Sequence, residues 1–175
     1  MMRKKTEGMI DSFKNDIPDL PENVNTTDFI LPKNLIIENW STQVSGSKNF
    51  FNDYDLNEEI HHLDGQTIEE AEHQVATRLY QNNARVHFNQ YVEKNGRFGK
   101  RIIYGGYIIS LARAISCNGF ANTFKVSAIH SGKHSAPTFS GDTIYAWSKI
   151  LKKEKINDKI GTMMIRTLAS KNNAE

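Results

Sequence analysis

In "NNARVH", residues 82–87, a histidine stands five places after an asparagine, and the apolar run "YGGYIISLARAISC" opens on a pair of glycines, Gly105 and Gly106. Histidine is the side chain whose unperturbed titration falls near neutrality, so His87 is a candidate acid and base. Asn82 offers a carboxamide that can hold and orient a water molecule but cannot take its proton. Backbone amides at a helix start are donors at the positive end of the dipole, and Gly106, with Gly105, would let a reacting group approach them closely. Each feature has a plainer reading beside the chemical one. A lone histidine after a helix can be structural, an asparagine can close a helix in left-handed geometry, and paired glycines can simply let helix and sheet pack closely.

The other histidines, His61, His62, His73, His130 and His134, show no pair at the helical or short-loop spacing of a familiar metal site. Lys and Arg number 22 against 20 Asp and Glu, a formal charge of +2. That balance argues against nucleic acid or a membrane surface as the main partner. Cys117 is the single cysteine, so an intrachain disulfide and a four-thiolate metal site are excluded, which suits a reducing compartment and a cytoplasmic address. The basic N-terminus is followed by no secretory apolar segment, and no apolar run reaches the ~18 residues of a membrane span.

The elements that must position these residues follow from pattern. Residues 1–50 hold Pro18, Pro21 and Pro32 with many Asn and Asp, and read as an arm that wraps the domain, partly disordered at its start. "LNEEIHHL" predicts a short strand ending at a turn, "DGQ". "TIEE", Thr67 to Glu70, matches a capping box, and Ile68, Ala71, Val75 and Leu79 at helical spacing predict an inward face on a helix running to about Tyr80. The helix from Gly105 is apolar on nearly every side, with Ser110, Arg113 and Ser116 as a narrow polar line, so it must be buried almost all round until Gly119 stops it. "TFKVSAIHS", "DTIYAWSKIL" and "GTMMIRTLAS" read as strands, and "SGDT" places Gly141 and Asp142 at a turn. Tyr145 and Trp147 share one strand face by alternation, as core or interface. A strand, a buried helix and further strands predict an α+β domain over residues 51–175.

The segments "EAEHQVATRLYQNNARVHFN", "GRFGKRIIYGGYIISLARAISCNGFAN" and "SGKHSAPTFSGDTIYAWSKIL" together resemble the MaoC-like dehydratase family of the hot dog fold, in particular its mesaconyl-CoA hydratase (β-methylmalyl-CoA dehydratase) branch. The likeness covers roughly residues 50–170 and implies an antiparallel sheet wrapped around a long central helix. It implies an Asp and a His five residues apart facing a CoA thioester; here Asn82 stands in place of the Asp and His87 matches the His. Implied, too, is a hydro-lyase acting on a short branched carboxylated acyl-CoA. In that reading Asn82 holds the water, His87 moves the proton and the Gly106 amide polarises the thioester. No cofactor is implied beyond the coenzyme A carried by the substrate. Arg97, Lys100, Arg101 and Lys133 are candidate anchors for its phosphates, with a solvated charge as the commoner explanation of each.

The resemblance also implies another strand soon after "GTMMIRTLAS", which the domain is expected to lack, and often a second hot dog domain. A homodimer or pairing with a second hot dog domain is therefore expected. The alternative is a hot dog domain that binds an acyl thioester, or pairs with another chain, without catalysis, as Asn82 would permit.

Overall fold

A computed structural model describes residues 24–174; the start of the arm, with Pro18 and Pro21, lies outside the described residues. The regular elements, in chain order, are α1 (Thr42–Ser45), β1 (Glu59–Thr67), α2 (Glu70–Leu79), α3 (Gln90–Glu93), α4 (Gly105–Ile115), β2 (Thr143–Lys155) and β3 (Gly161–Lys171). The strands form one antiparallel sheet of order β1-β2-β3, and α4 lies against all three.

The central strand shows why the sheet has an inside. Alternation along β2 buries Ile144, Ala146, Ser148 and Ile150. Ile144 and Leu111 of α4 join Ile68 and Ile103 in one core cluster, while Ile150 packs with Tyr54 and Phe120 in another. Burying an isoleucine fully contributes about 1.5–3 kcal/mol, and Ile68, Ile144 and Ile150 are each at most 2% exposed. Ser148 is tolerated among them because its hydroxyl lies 2.9 Å from His62 Nε2 and 2.9 Å from Thr167 Oγ1, a polar row linking all three strands. Tyr145 and Trp147 share the opposite face, half-buried, with His61 stacked on Trp147 at 6.3 Å.

Several expectations are corrected. "DGQ" does not end the first strand: β1 continues to Thr67 through a register shift between His62 and Gln66. Gly65 is needed inside that irregularity, where a Cβ would stand 2.5 Å from the Tyr145 ring. The capping box is absent because sheet pairing claims its first residue: the Thr67 hydroxyl lies 2.8 Å from that of Thr143, and Ile68 pairs its backbone with Gly141 and Asp142. Helix α2 therefore starts at Glu70, with Glu69 as N-cap and no side-chain cap. Its buried face is His73, Ala76 and Thr77, whereas Val75 is 48% and Leu79 73% exposed.

Helix α4 is buried on one side only. Leu111 and Ala112 face the sheet, while Ile109 is 42% exposed and Ala114 and Cys117 are exposed. A three-stranded sheet covers one flank of a helix, and the second of the four expected strands, residues 123–131, joins no sheet among the described residues. That stretch is instead met by the arm. Val24 N–H donates to His130 Nε2 at 3.5 Å, Lys125 Nζ to Ile30 O at 3.4 Å, and Trp40 Nε1 to Asn122 Oδ1 at 2.9 Å; Asn122 Nδ2 in turn donates to Asn49 O at 2.7 Å. Beyond Ile115 the chain tightens into a 3-10 turn over Ser116–Phe120, so Gly119 does not end the helix but makes room for His62, whose Cε1 would lie 2.7 Å from a Cβ there. The "SGDT" turn forms as read, with Gly141 at φ +89° and Asp142 Oδ2 accepting from Phe139 N–H at 2.8 Å.

Among the described residues no helix is long and apolar enough to cross a membrane.

Candidate active site

The start of α4 is held in place from three directions. From α2, His73 reaches across, and its Nε2 accepts the N–H of Tyr104, the N-cap of α4, at 2.8 Å. Ile103 N–H donates to Thr138 O at 2.8 Å and Ile102 N–H to Val86 O at 3.2 Å. These bonds draw the turn at residues 85–87, the strand-like residues 102–103 and the 135–138 stretch together. The first-turn amides of Gly105 and Gly106 have no acceptor among the described residues, as expected of a helix start whose side chain supplies no cap.

Beside this helix start lies an open cleft of 420 Å³ lined by His87, Phe98, Ile102, Gly105, Ile108 and His134 and by residues 135–138. His87 sits on a 3-10 turn, Arg85–His87. Its Nδ1 is 3.0 Å from Ile102 O; a carbonyl only accepts, so Nδ1 carries the proton and the neutral ring keeps the lone pair on Nε2. Gln74 Nε2 donates to His87 O at 3.0 Å, fixing the backbone as well. The ring packs against Tyr104 at 5.7 Å and, edge-on, against His73 at 6.4 Å.

His73 is of a different kind. It is 1% exposed, and burial, reinforced by the nearby charges of His87 and Arg101, pushes its pKa down to about 4. Since Nε2 accepts from Tyr104, the neutral ring carries its proton on Nδ1. The 3.3 Å approach of Gln74 Nε2 to that nitrogen therefore brings two donors together and is packing, not a hydrogen bond. His73 was legible in sequence only as one histidine among several, and His134 likewise.

Of the residues singled out by sequence, His87 and Gly105 come together in the cleft. Gly106 adjoins it in the helix, and a Cβ there would meet the Tyr104 ring at 2.6 Å. Asn82 lies outside the lining; its Oδ1 accepts from Ala84 N–H at 2.9 Å in an Asx-type turn, leaving its Nδ2 without a protein partner among the described residues. Gln81, just before it, adopts the left-handed conformation at φ +51°. Arg101 is committed internally, paired with Glu70 and donating from Nη1 to Phe88 O at 3.1 Å. Arg97 and Lys100 are exposed, lying over the rings of Phe98 and Phe139 at 5.0 and 4.3 Å, and Lys133 is exposed beside His134. No group of three or more His, Cys, Asp or Glu suited to a metal ion occurs among the described residues.

An antiparallel sheet packed on one helix is the arrangement expected of a hot dog domain. No family model matches the chain. It is 54% identical over 157 residues to beta-methylmalyl-CoA dehydratase of Chloroflexus aurantiacus and 41% identical over 160 residues to mesaconyl-CoA hydratase of Cereibacter sphaeroides. Those matches take in 89% and 91% of this chain but 45% and 46% of the relatives, so the chain spans about half their length. Among solved structures, a MaoC domain protein dehydratase from Chloroflexus aurantiacus superposes with a TM-score of 0.82 at 53% identity over 90% of this chain and 45% of the other. A Mycobacterium tuberculosis protein described as a double hot dog fold superposes at 0.56 with 22% identity over 83% of this chain and 42% of the other, a likeness of fold alone. The chain belongs to the MaoC-like dehydratase family of hot dog proteins.

Proposed function

We propose that the protein works as a hydro-lyase that reversibly adds water to a short, branched, carboxylated acyl-CoA of the mesaconyl-CoA and β-methylmalyl-CoA type. The observation that carries this reading is His87: Nδ1 is tied to Ile102 O, so the basic Nε2 is the nitrogen left for chemistry in a cleft shared with the unpaired amides of the α4 start. In the hydration direction, Nε2 takes a proton from water as the water oxygen bonds to the β carbon. The displaced electron pair moves to the thioester oxygen, which the Gly105 and Gly106 amides stabilise. The imidazolium then returns the proton to the α carbon, so that H and OH are added and the base is restored. A positioned acid or base is worth about 10²–10⁴-fold in rate, and an oxyanion donor roughly 3 kcal/mol.

Asn82, whose Oδ1 closes the turn leading to His87, is the candidate for positioning the water from beside the cleft rather than from its lining. Arg97, Lys100 and Lys133 are the remaining candidates for the coenzyme A phosphates, Arg101 being engaged elsewhere. Proton transfer of this kind needs no cofactor. The outer edges of β1 and β3 have no strand partner among the described residues, which favours pairing with a second copy or a second hot dog domain.

The test is hydration of mesaconyl-CoA by the purified chain, followed as loss of the conjugated thioester absorbance, beside His87→Ala and Asn82→Ala. Turnover that falls by about 10² or more in His87→Ala supports the reading. Absence of turnover in folded wild-type protein sinks it and points to a thioester-binding or partner role.

A further inference from the structure

The substrate class proposed above carries a second charge that neither the amides of the helix start nor His87 answers. A thioester with a distal carboxylate brings an anion into the cleft, and an anion laid against the apolar side chains of Phe98, Ile102 and Ile108 loses part of its hydration unless a donor meets it. Among the described residues no arginine or lysine lines the cleft, and its titratable side chains are His87 and His134. With His87 occupied by proton transfer, His134 is left.

We infer that His134 is the specificity residue of this site, hydrogen-bonding the carboxylate at the far end of the acyl chain. The inference rests on the thioester reading of the cleft. Three observations support it. His134 lies directly over the helix start, where a Cβ on Gly105 would stand 2.5 Å from its Nε2 and 2.9 Å from its Cε1. That ring and the Gly105 backbone are therefore immediate neighbours. The end carbons of a planar trans four-carbon unit are about 3.8 Å apart, as across a trans peptide, so a thioester oxygen at the amides leaves the other carboxyl group within reach of His134. The imidazole also has no protein hydrogen-bond partner among the described residues, which leaves its N–H for a ligand. The hydroxyls of Ser135 and Thr138 share the wall and can add donors to the same carboxylate.

The absence of a side chain at Gly105 follows from the same contact. Any Cβ there would displace the ring, so the glycine serves His134 as well as the thioester.

The experiment measures equilibrium binding by titration calorimetry of mesaconyl-CoA and of tiglyl-CoA, the isostere in which a methyl group replaces the carboxylate. Wild-type protein is expected to prefer mesaconyl-CoA, with that preference falling about tenfold or more in His134→Ala and recovering in His134→Lys. Near-ultraviolet circular dichroism of each variant confirms that the fold is kept. A preference unchanged in His134→Ala, an equal loss for both thioesters, or no preference in wild type overturns the inference. Because binding is read without turnover, selective binding with no hydration sinks the hydro-lyase reading alone. Hydration with a preference indifferent to residue 134 sinks this one alone.

Discussion

The inner face of α2 and the turn Arg85–His87 lie against the same helix start and each supplies an imidazole, 6.4 Å apart, yet the surroundings make opposite things of them. His73 is sealed in, spends its Nε2 on the Tyr104 amide, and is kept neutral by burial. His87 spends only Nδ1 on the chain and keeps the other nitrogen toward an open cleft. Under the proposed mechanism one residue type thus becomes a strut or a proton carrier according to which nitrogen the backbone claims and whether water can reach the other.

The widest expected separation between the two is in rate. His87→Ala should lower hydration by about 10²–10⁴-fold while changing stability by about 1 kcal/mol, the worth of one hydrogen bond; steady-state assays beside denaturant melts read both. His73→Ala should reverse the emphasis, costing about 2–4 kcal/mol because it opens a cavity and orphans the Tyr104 amide. A melt of His73→Ala indistinguishable from wild type would erase the distinction.

The comparison sharpens further with pH. The pKa of His73 is lowered from 6.5 to about 4 in the folded protein, so between those values the unfolded chain binds more protons. Its contribution to stability is complete above pH 6.5 and drains away as pH falls toward 4, by about 3 kcal/mol in all. Urea midpoints from pH 7 to pH 4 should fall for wild type and fall less steeply for His73→Gln. The smallest effect belongs to Asn82→Ala, which removes the acceptor for Ala84 N–H and should cost about 1 kcal/mol in a thermal melt.

How far the sequence discloses this arrangement depends on the reach of each signal. The helix from Gly105, the strand at "DTIYAWSKIL" and the "SGDT" turn are written in neighbouring residues, and all three form. His87 stands out by spacing. The failures share one cause: a partner distant in the chain overrides a local pattern. Thr67 looks like a helix cap, but its hydroxyl meets Thr143, 76 residues on. His73 looks like a polar residue on an amphipathic helix, but its partner is the Tyr104 amide, 31 residues on. His134 sits in a stretch without periodicity or cap, and only the fold brings it over Gly105.

The hydrogen bonds between the arm and residues 122–130 bear on where this chain can be cut. Val24, Ile30, Trp40 and Asn49 meet the stretch that leads, a few residues later, into the cleft wall at His134. Cloning from residue 50 onward would leave every strand and α4 in place, and so would pass for a tidy minimal domain. It would also unbuckle the strap behind the site, and the loss would surface in ligand affinity before it surfaced in the circular dichroism spectrum.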